Sequence, residues 1–142
     1  MPAMTPALRL TAAAGLLGVA FTHMLDLPHK LAEAPYLAAL FVGLITAATV
    51  LAIAVLSERF CRSGAVAAGG LSALALAGYV ASRTVGLPQL RDHVGDWASP
   101  AGVASLGFEV ALVVLAAAVL AERRAGTAPA PARVGAPARV PA

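Results

Sequence analysis

Charge is scarce in this chain of 142 residues: Asp, Glu, Lys and Arg together make up 12% of it. Residues 36–57 and 64–82 contain none of the four. A soluble helix needs a charged face, and a helix that is apolar all round must be buried in protein or in lipid. A chain this short has too little core to bury several such helices in protein, which excludes a soluble Ala-rich bundle. Cys61 is the single cysteine, so an internal disulfide and a Cys-x-x-Cys redox pair are both excluded. Histidines number three, and only His23 falls even partly within an apolar run, which makes haem a poor fit. Ser82, Ser99 and Ser105 have no recognisable Ser/His/Asp context around them, so nucleophilic catalysis has no support. No convincing repeat relates the two halves, which argues against an inverted-repeat transporter.

What is present is apolar sequence in lengths that match a bilayer. Hydrophobic residues make up 60% of the chain, gathered into four runs at about 8–25, 35–56, 64–82 and 101–121. A hydrocarbon core of roughly 30 Å needs about 20 helical residues, and each run is near that length. The sequence therefore predicts an all-α, four-helix transmembrane bundle over residues 1–122. Residues 123–142, rich in Ala, Pro and Arg, read as a disordered cytoplasmic tail. The first run could pass for a signal peptide, but its one small-x-small site, Ala32-Glu33-Ala34, is followed by Pro35, so an uncleaved span is expected.

Basic residues orient the bundle. Arg9, Arg59, Arg62, Arg123, Arg124, Arg133 and Arg139 flank one side, whereas Lys30, Arg83 and Arg91 flank the other. The positive-inside rule then places both termini and the loop at 58–63 in the cytoplasm of a multi-pass bacterial inner (plasma) membrane protein. The basic excess thus serves orientation rather than nucleic-acid binding. The bilayer is the certain partner, with a homo-oligomer or other membrane proteins as further candidates. Small residues on the spans, among them Gly15, Gly18, Gly43, Gly69 and Gly78, predict close helix approach, with the third span as the central packing helix.

Polar residues concentrate toward the outer side. Glu109 lies nine positions after Pro100, about 13 Å down a helix, and an ionisable group at that depth is a functional candidate. Gly102, Ser105 and Glu109 share a face, His23 and Asp26 end the first span, and Arg83 ends the third. Ligand or ion-pair candidates are therefore His23, Asp26, Arg83 and Glu109. A divalent-metal site would draw on His23, Asp26, His29 and Glu33, with Glu109 or His93 added by folding, because imidazole with carboxylate suits zinc, copper or iron. No His-Glu-x-x-His motif supports it. A proton-linked site would use Glu109 with His23 as relay. A structural alternative is a buried Glu109–Arg83 ion pair, with His93 and Asp92 simply solvated.

The run Ser82-Arg83-Thr84-Val85-Gly86-Leu87-Pro88 resembles a pattern in small four-span integral membrane proteins of high-GC actinobacteria. Those proteins also carry a His late in the first span, a Pro-x-His-like turn before the second and a Glu within the fourth. The matching residues are His23, Pro28 with His29, and Glu109. The resemblance covers the spans but not the tail and implies an architecture rather than a reaction. One departure is Lys30, which follows His29 where that family has an acidic residue.

Together these features predict a membrane protein with an outward-facing polar pocket, acting as an accessory protein that binds a cation, a metal or a small polar ligand. A proton-coupled transporter subunit working as an oligomer is the alternative, and a membrane enzyme stands behind both. The orientation has a direct test. In intact cells a membrane-impermeant maleimide is expected to leave the central loop, represented by Cys61, unlabelled until lysis, and efficient labelling before lysis would reverse the topology.

Overall fold

The computed structural model describes residues 4–127. Four helices account for most of them: α1 (Pro6–Glu33), α2 (Pro35–Leu56), α3 (Cys61–Thr84) and α4 (Pro100–Thr127), with a single 3₁₀ turn at Arg91–His93. No strand occurs among the described residues. All four helices are long and apolar enough to cross a membrane. Leu10, Leu25, Leu40, Ile53, Leu74 and Val114 are exposed on the outside of the bundle, as lipid-facing side chains should be.

Local chemistry sets the breaks. Thr5 caps α1 by accepting a hydrogen bond from the Leu8 amide at 3.3 Å, and Pro6 occupies the first turn, where its missing N–H costs nothing. The sequence places the end of the first span near Leu25 and a new helix start at Pro28. Instead α1 continues through Pro28 to Glu33. Pro28 has no N–H for the Met24 carbonyl, but Lys30 reaches Asp26 at 3.9 Å and Glu33 at 2.8 Å, tying the last turns together across the proline. The chain then breaks at Ala34 (φ −150°, ψ 88°), because a residue preceding proline is pushed out of the helical region. Pro35 opens α2.

The third and fourth helices also outrun the expected spans: α3 starts at Cys61 rather than Gly64, and α4 runs past 122 to Thr127. The tail from 128, with Arg133 and Arg139, lies outside the described residues. α3 ends on Gly86, whose φ of +75° is the left-handed conformation that glycine adopts without penalty, and whose N–H returns to the Ala81 carbonyl at 3.1 Å.

The helices form a square. α1 packs on α2 and α4, α3 packs on α4 and α2, and α1 barely touches α3. The ends differ. Toward the termini the core is closed by Leu16 and Val19 of α1, Ala52 and Val55 of α2, Ala65 and Ala68 of α3, and Leu112 and Val119 of α4. One ridge of α4, Phe108–Leu112–Ala116 at four-residue spacing, makes this close fit. A Cβ built on Gly18 would lie 2.7 Å from the Phe108 ring, one on Gly15 would meet Leu112 at 3.3 Å, and one on Gly69 would overlap the Ala116 Cβ. The expectation that every glycine serves packing needs correction. Gly43 and Gly78 have nothing within 4 Å of a built Cβ and line an open cavity at the other end. That end, where the α1–α2 turn and the α3–α4 loop lie, is called the loop end below.

Two measurements follow. Gly69→Ala should lower stability in detergent by about 1–3 kcal/mol, the usual cost of overpacking. Ala116→Gly should recover part of that loss, whereas Gly70→Ala, which has open space around it, should leave the melting temperature unchanged or slightly raised. Cys61 is buried and donates to the Glu58 carbonyl at 3.4 Å, so maleimide accessibility is better read at Glu58, whose side chain is 90% exposed. A Cys61→Ser, Glu58→Cys protein is expected to stay unlabelled in intact cells and react after lysis.

Candidate functional site

A cavity of about 720 Å³ occupies the loop end of the bundle. All four helices and the α3–α4 loop contribute to its wall, and it contains both deep ionisable groups, Glu109 and Arg83. Its floor is the closed core around Leu16 and Leu112. Closed by the packed core on the side of the termini, it is a blind pocket.

Glu109 is the deeper group. The i,i+4 spacing on α4 brings Ser105 alongside it, and the Ser105 hydroxyl donates to Glu109 Oε1 at 2.7 Å. His23 approaches from α1, its Nε2 3.8 Å from the same oxygen, while its Nδ1 lies 2.9 Å from the Val19 carbonyl. A carbonyl only accepts, so Nδ1 carries a proton. In the neutral ring Nε2 therefore faces the carboxyl with a lone pair. The 3.8 Å gap is too long for a direct hydrogen bond. Phe41 of α2 holds the imidazole edge-on, ring centroids 4.7 Å apart. Glu109 itself is 2% exposed.

Arg83 sits nearer the surface, at the end of α3, with a side chain only 9% exposed. Its Nη1 donates to His93 Nδ1 at 2.8 Å and to the His93 carbonyl at 3.4 Å, and its Nη2 donates to Ser99 Oγ at 3.2 Å. One turn back on α3, the Tyr79 ring lies under the guanidinium, 5.0 Å from its centre, a cation–π contact. Because arginine cannot accept, His93 Nδ1 must be the acceptor, which leaves the proton on Nε2. Nε2 then points at Glu33 Oε1, 3.4 Å away at the end of α1. Glu33 also meets Lys30 at 2.8 Å and His29 at 3.0 Å. The chain Arg83–His93–Glu33–Lys30 thus ties α3, the loop and α1 together. Two further contacts fix the loop: Tyr36 Oη donates to the Pro88 carbonyl at 2.8 Å, and the Gly95 amide donates to the Arg83 carbonyl at 2.9 Å.

Several expectations change. The Glu109–Arg83 pair does not form: Glu109 meets Ser105 and His23, and Arg83 meets His93, Ser99 and, at 3.7 Å, Asp96. About ten helical residues separate Glu109 from Ser99, roughly 15 Å along α4, so the carboxylate lies too deep for the arginine. Asp26 pairs with Lys30 instead of joining His23. The proposed metal ligands divide between two places, His23 with Glu109 in the bundle and His29 with Glu33 at the end of α1. Among the described residues no group of three or more His, Cys, Asp or Glu is arranged to hold a metal. His93 is a half-buried hub rather than a solvated loop residue. Sequence reasoning missed Ser99, Tyr79 and the Lys30–Glu33 pair. The i,i+4 spacing of Tyr79 and Arg83 and the i,i+3 spacing of Lys30 and Glu33 were the available signals.

Double-mutant cycles separate the two clusters. Glu109→Gln with Ser105→Ala, and Arg83→Gln with Ser99→Ala, should each couple by about 0.5–3 kcal/mol in thermal unfolding, whereas Glu109→Gln with Arg83→Gln should be additive. Strong coupling in the last cycle would restore the direct ion pair. No family model, curated protein or solved structure matches this chain, so the site rests on its own geometry.

Proposed function

We propose that the protein is a ligand-binding membrane protein of accessory type, which holds a small molecule in the blind cavity at the loop end. The observation that carries this reading is the coincidence of that cavity with two buried ionisable clusters, one at its base and one at its rim. The volume falls within the roughly 300–1,000 Å³ of small-molecule sites, which are mostly apolar with a few placed polar groups. The distribution of arginines supports an orientation with both termini and the 58–63 loop in the cytoplasm and the cavity facing outward. In this reading the Ser82–Pro88 run, which resembles a pattern in small actinobacterial four-span proteins, supplies the rim: Arg83 contacts the ligand space, Gly86 ends the helix and the Pro88 carbonyl anchors Tyr36.

Proton-coupled transport is the second reading, and it is favoured by the buried carboxyl of Glu109 facing an imidazole, His23, within the bundle. A transporter also needs access from both sides. The packed core below Glu109 gives no path in this conformation, which is why binding is preferred.

Native mass spectrometry of gently extracted protein tests the proposal. A bound small-molecule adduct is expected on the wild type and should be lost from Gly78→Phe, which fills the cavity from a position with free space around it. Identical spectra for the two proteins, at equal thermal stability, would sink the reading.

A further inference from the structure

We infer that the cavity takes an anionic amphiphile out of the membrane, with its acidic head at Arg83 and its apolar chain passing between α2 and α3. This deepens the ligand-binding reading above and rests on it.

The head is assigned by the charge left over at the rim. Of the five carboxylates at this end, Asp92 and Asp96 are exposed and the other three are already engaged. Glu33 is held by Lys30, His29 and His93, Asp26 by Lys30, and Glu109 by Ser105 beside His23. Of the two exposed ones, Asp96 pairs with Arg83 at 3.7 Å from a half-exposed side chain. The hydrogen-bond partners of Arg83 are all neutral, and its Nε has none although it is shut off from solvent. A guanidinium has five N–H donors in a planar fork that suits carboxylate or phosphate oxygens, and three contacts with neutral acceptors do not exhaust them. Among the described residues the only counter-ion of Arg83, Asp96, stands 3.7 Å away on a half-exposed side chain, so an anion placed closer gains what that long pair leaves unmet.

The chain is assigned by the wall. Leu40 of α2 and Leu74 of α3 line the cavity, yet are 63% and 73% exposed on the outer surface of the bundle. Residues that belong to both surfaces mark an opening, and this one faces the hydrocarbon rather than water. Gly43 and Gly78 widen it, since neither position has an atom within 4 Å of a built Cβ. A soluble anion would use the rim alone and leave this slot unfilled. A neutral lipid would fill the slot and leave Arg83 with only the long pair to Asp96. Glu109, roughly 15 Å deeper along α4 by helical rise, is far enough from the rim not to repel the head.

The test uses the full-length protein in nanodiscs of zwitterionic phosphatidylcholine, with palmitate as probe, hexadecanol as the neutral chain and acetate as the chainless head. Palmitate should bind saturably, and Arg83→Gln should weaken it by about tenfold or more, the scale of a charge-assisted hydrogen bond. Arg83→Lys should retain part of the affinity. Gly43→Phe, which narrows the slot without touching the rim, should weaken palmitate while leaving the melting temperature unchanged, so that a folding defect in Arg83→Gln does not decide the matter. Hexadecanol should bind less well than palmitate, and acetate should not displace it. Equal palmitate binding by wild type, Arg83→Gln and Gly43→Phe would overturn the inference, as would hexadecanol binding as tightly. If palmitate fails to bind while the adduct lost in Gly78→Phe persists, the ligand class is wrong and the cavity reading stands. If both are absent, both fall.

Discussion

The close seating of α4 against glycines is the constraint on which the rest of this structure depends. Lipid offers no hydrophobic drive between helices, so association relies on backbone proximity. Here one ridge, Phe108–Leu112–Ala116, meets Gly18 and Gly15 of α1 and Gly69 of α3. That contact draws three helices together over the half nearer the termini and leaves α2 to pack mainly on α1. Toward the loop end α4 keeps one close approach to α3, Gly102 against the Tyr79 ring. The cavity at the loop end follows from the same arrangement, since Gly43 and Gly78 meet no opposing side chain and become wall instead of interface.

An opening at one end of a bundle would close or fray if nothing braced it. The brace is polar. Arg83, His93, Glu33 and Lys30 form a chain across the rim from α3 to α1, and Tyr36 ties the start of α2 to the loop through the Pro88 carbonyl. Each link has a defined donor and acceptor, and the arginine fixes the tautomer of His93. Such a network holds geometry only when its members are satisfied. The partial satisfaction of Arg83 is therefore the feature of the rim that most resembles a binding group rather than a strut.

Much of the architecture was legible in the sequence because it depends on length and composition. The four apolar runs correspond to four helices, and the i,i+4 relation of Ser105 to Glu109 is a hydrogen bond. Helix ends were less legible. Pro28 reads as a start signal, yet the pairing of Lys30 with Asp26 and Glu33 carries α1 past it, and Pro35 makes the true break by forcing Ala34 out of the helical region. The pairing of Glu109 was also misplaced. Depth along a helix can be counted from sequence, but the rotation that turns Glu109 toward His23 of α1, and the fold of the loop that brings His93 and Ser99 to Arg83, cannot.

The sequence by itself determined that this protein is an all-helical bundle of four membrane-length segments, and that the ionisable groups set within its spans lie toward one end. Those properties follow from hydropathy, helical rise and the cost of charge in hydrocarbon, all of which act locally. Tertiary structure alone decided which of those groups meet and which glycines pack or open a cavity. It also decided that one arginine at the rim has only neutral hydrogen-bond partners. These depend on the relative rotation of packed helices, a quantity set by ridge-and-glycine contacts between segments far apart in the chain.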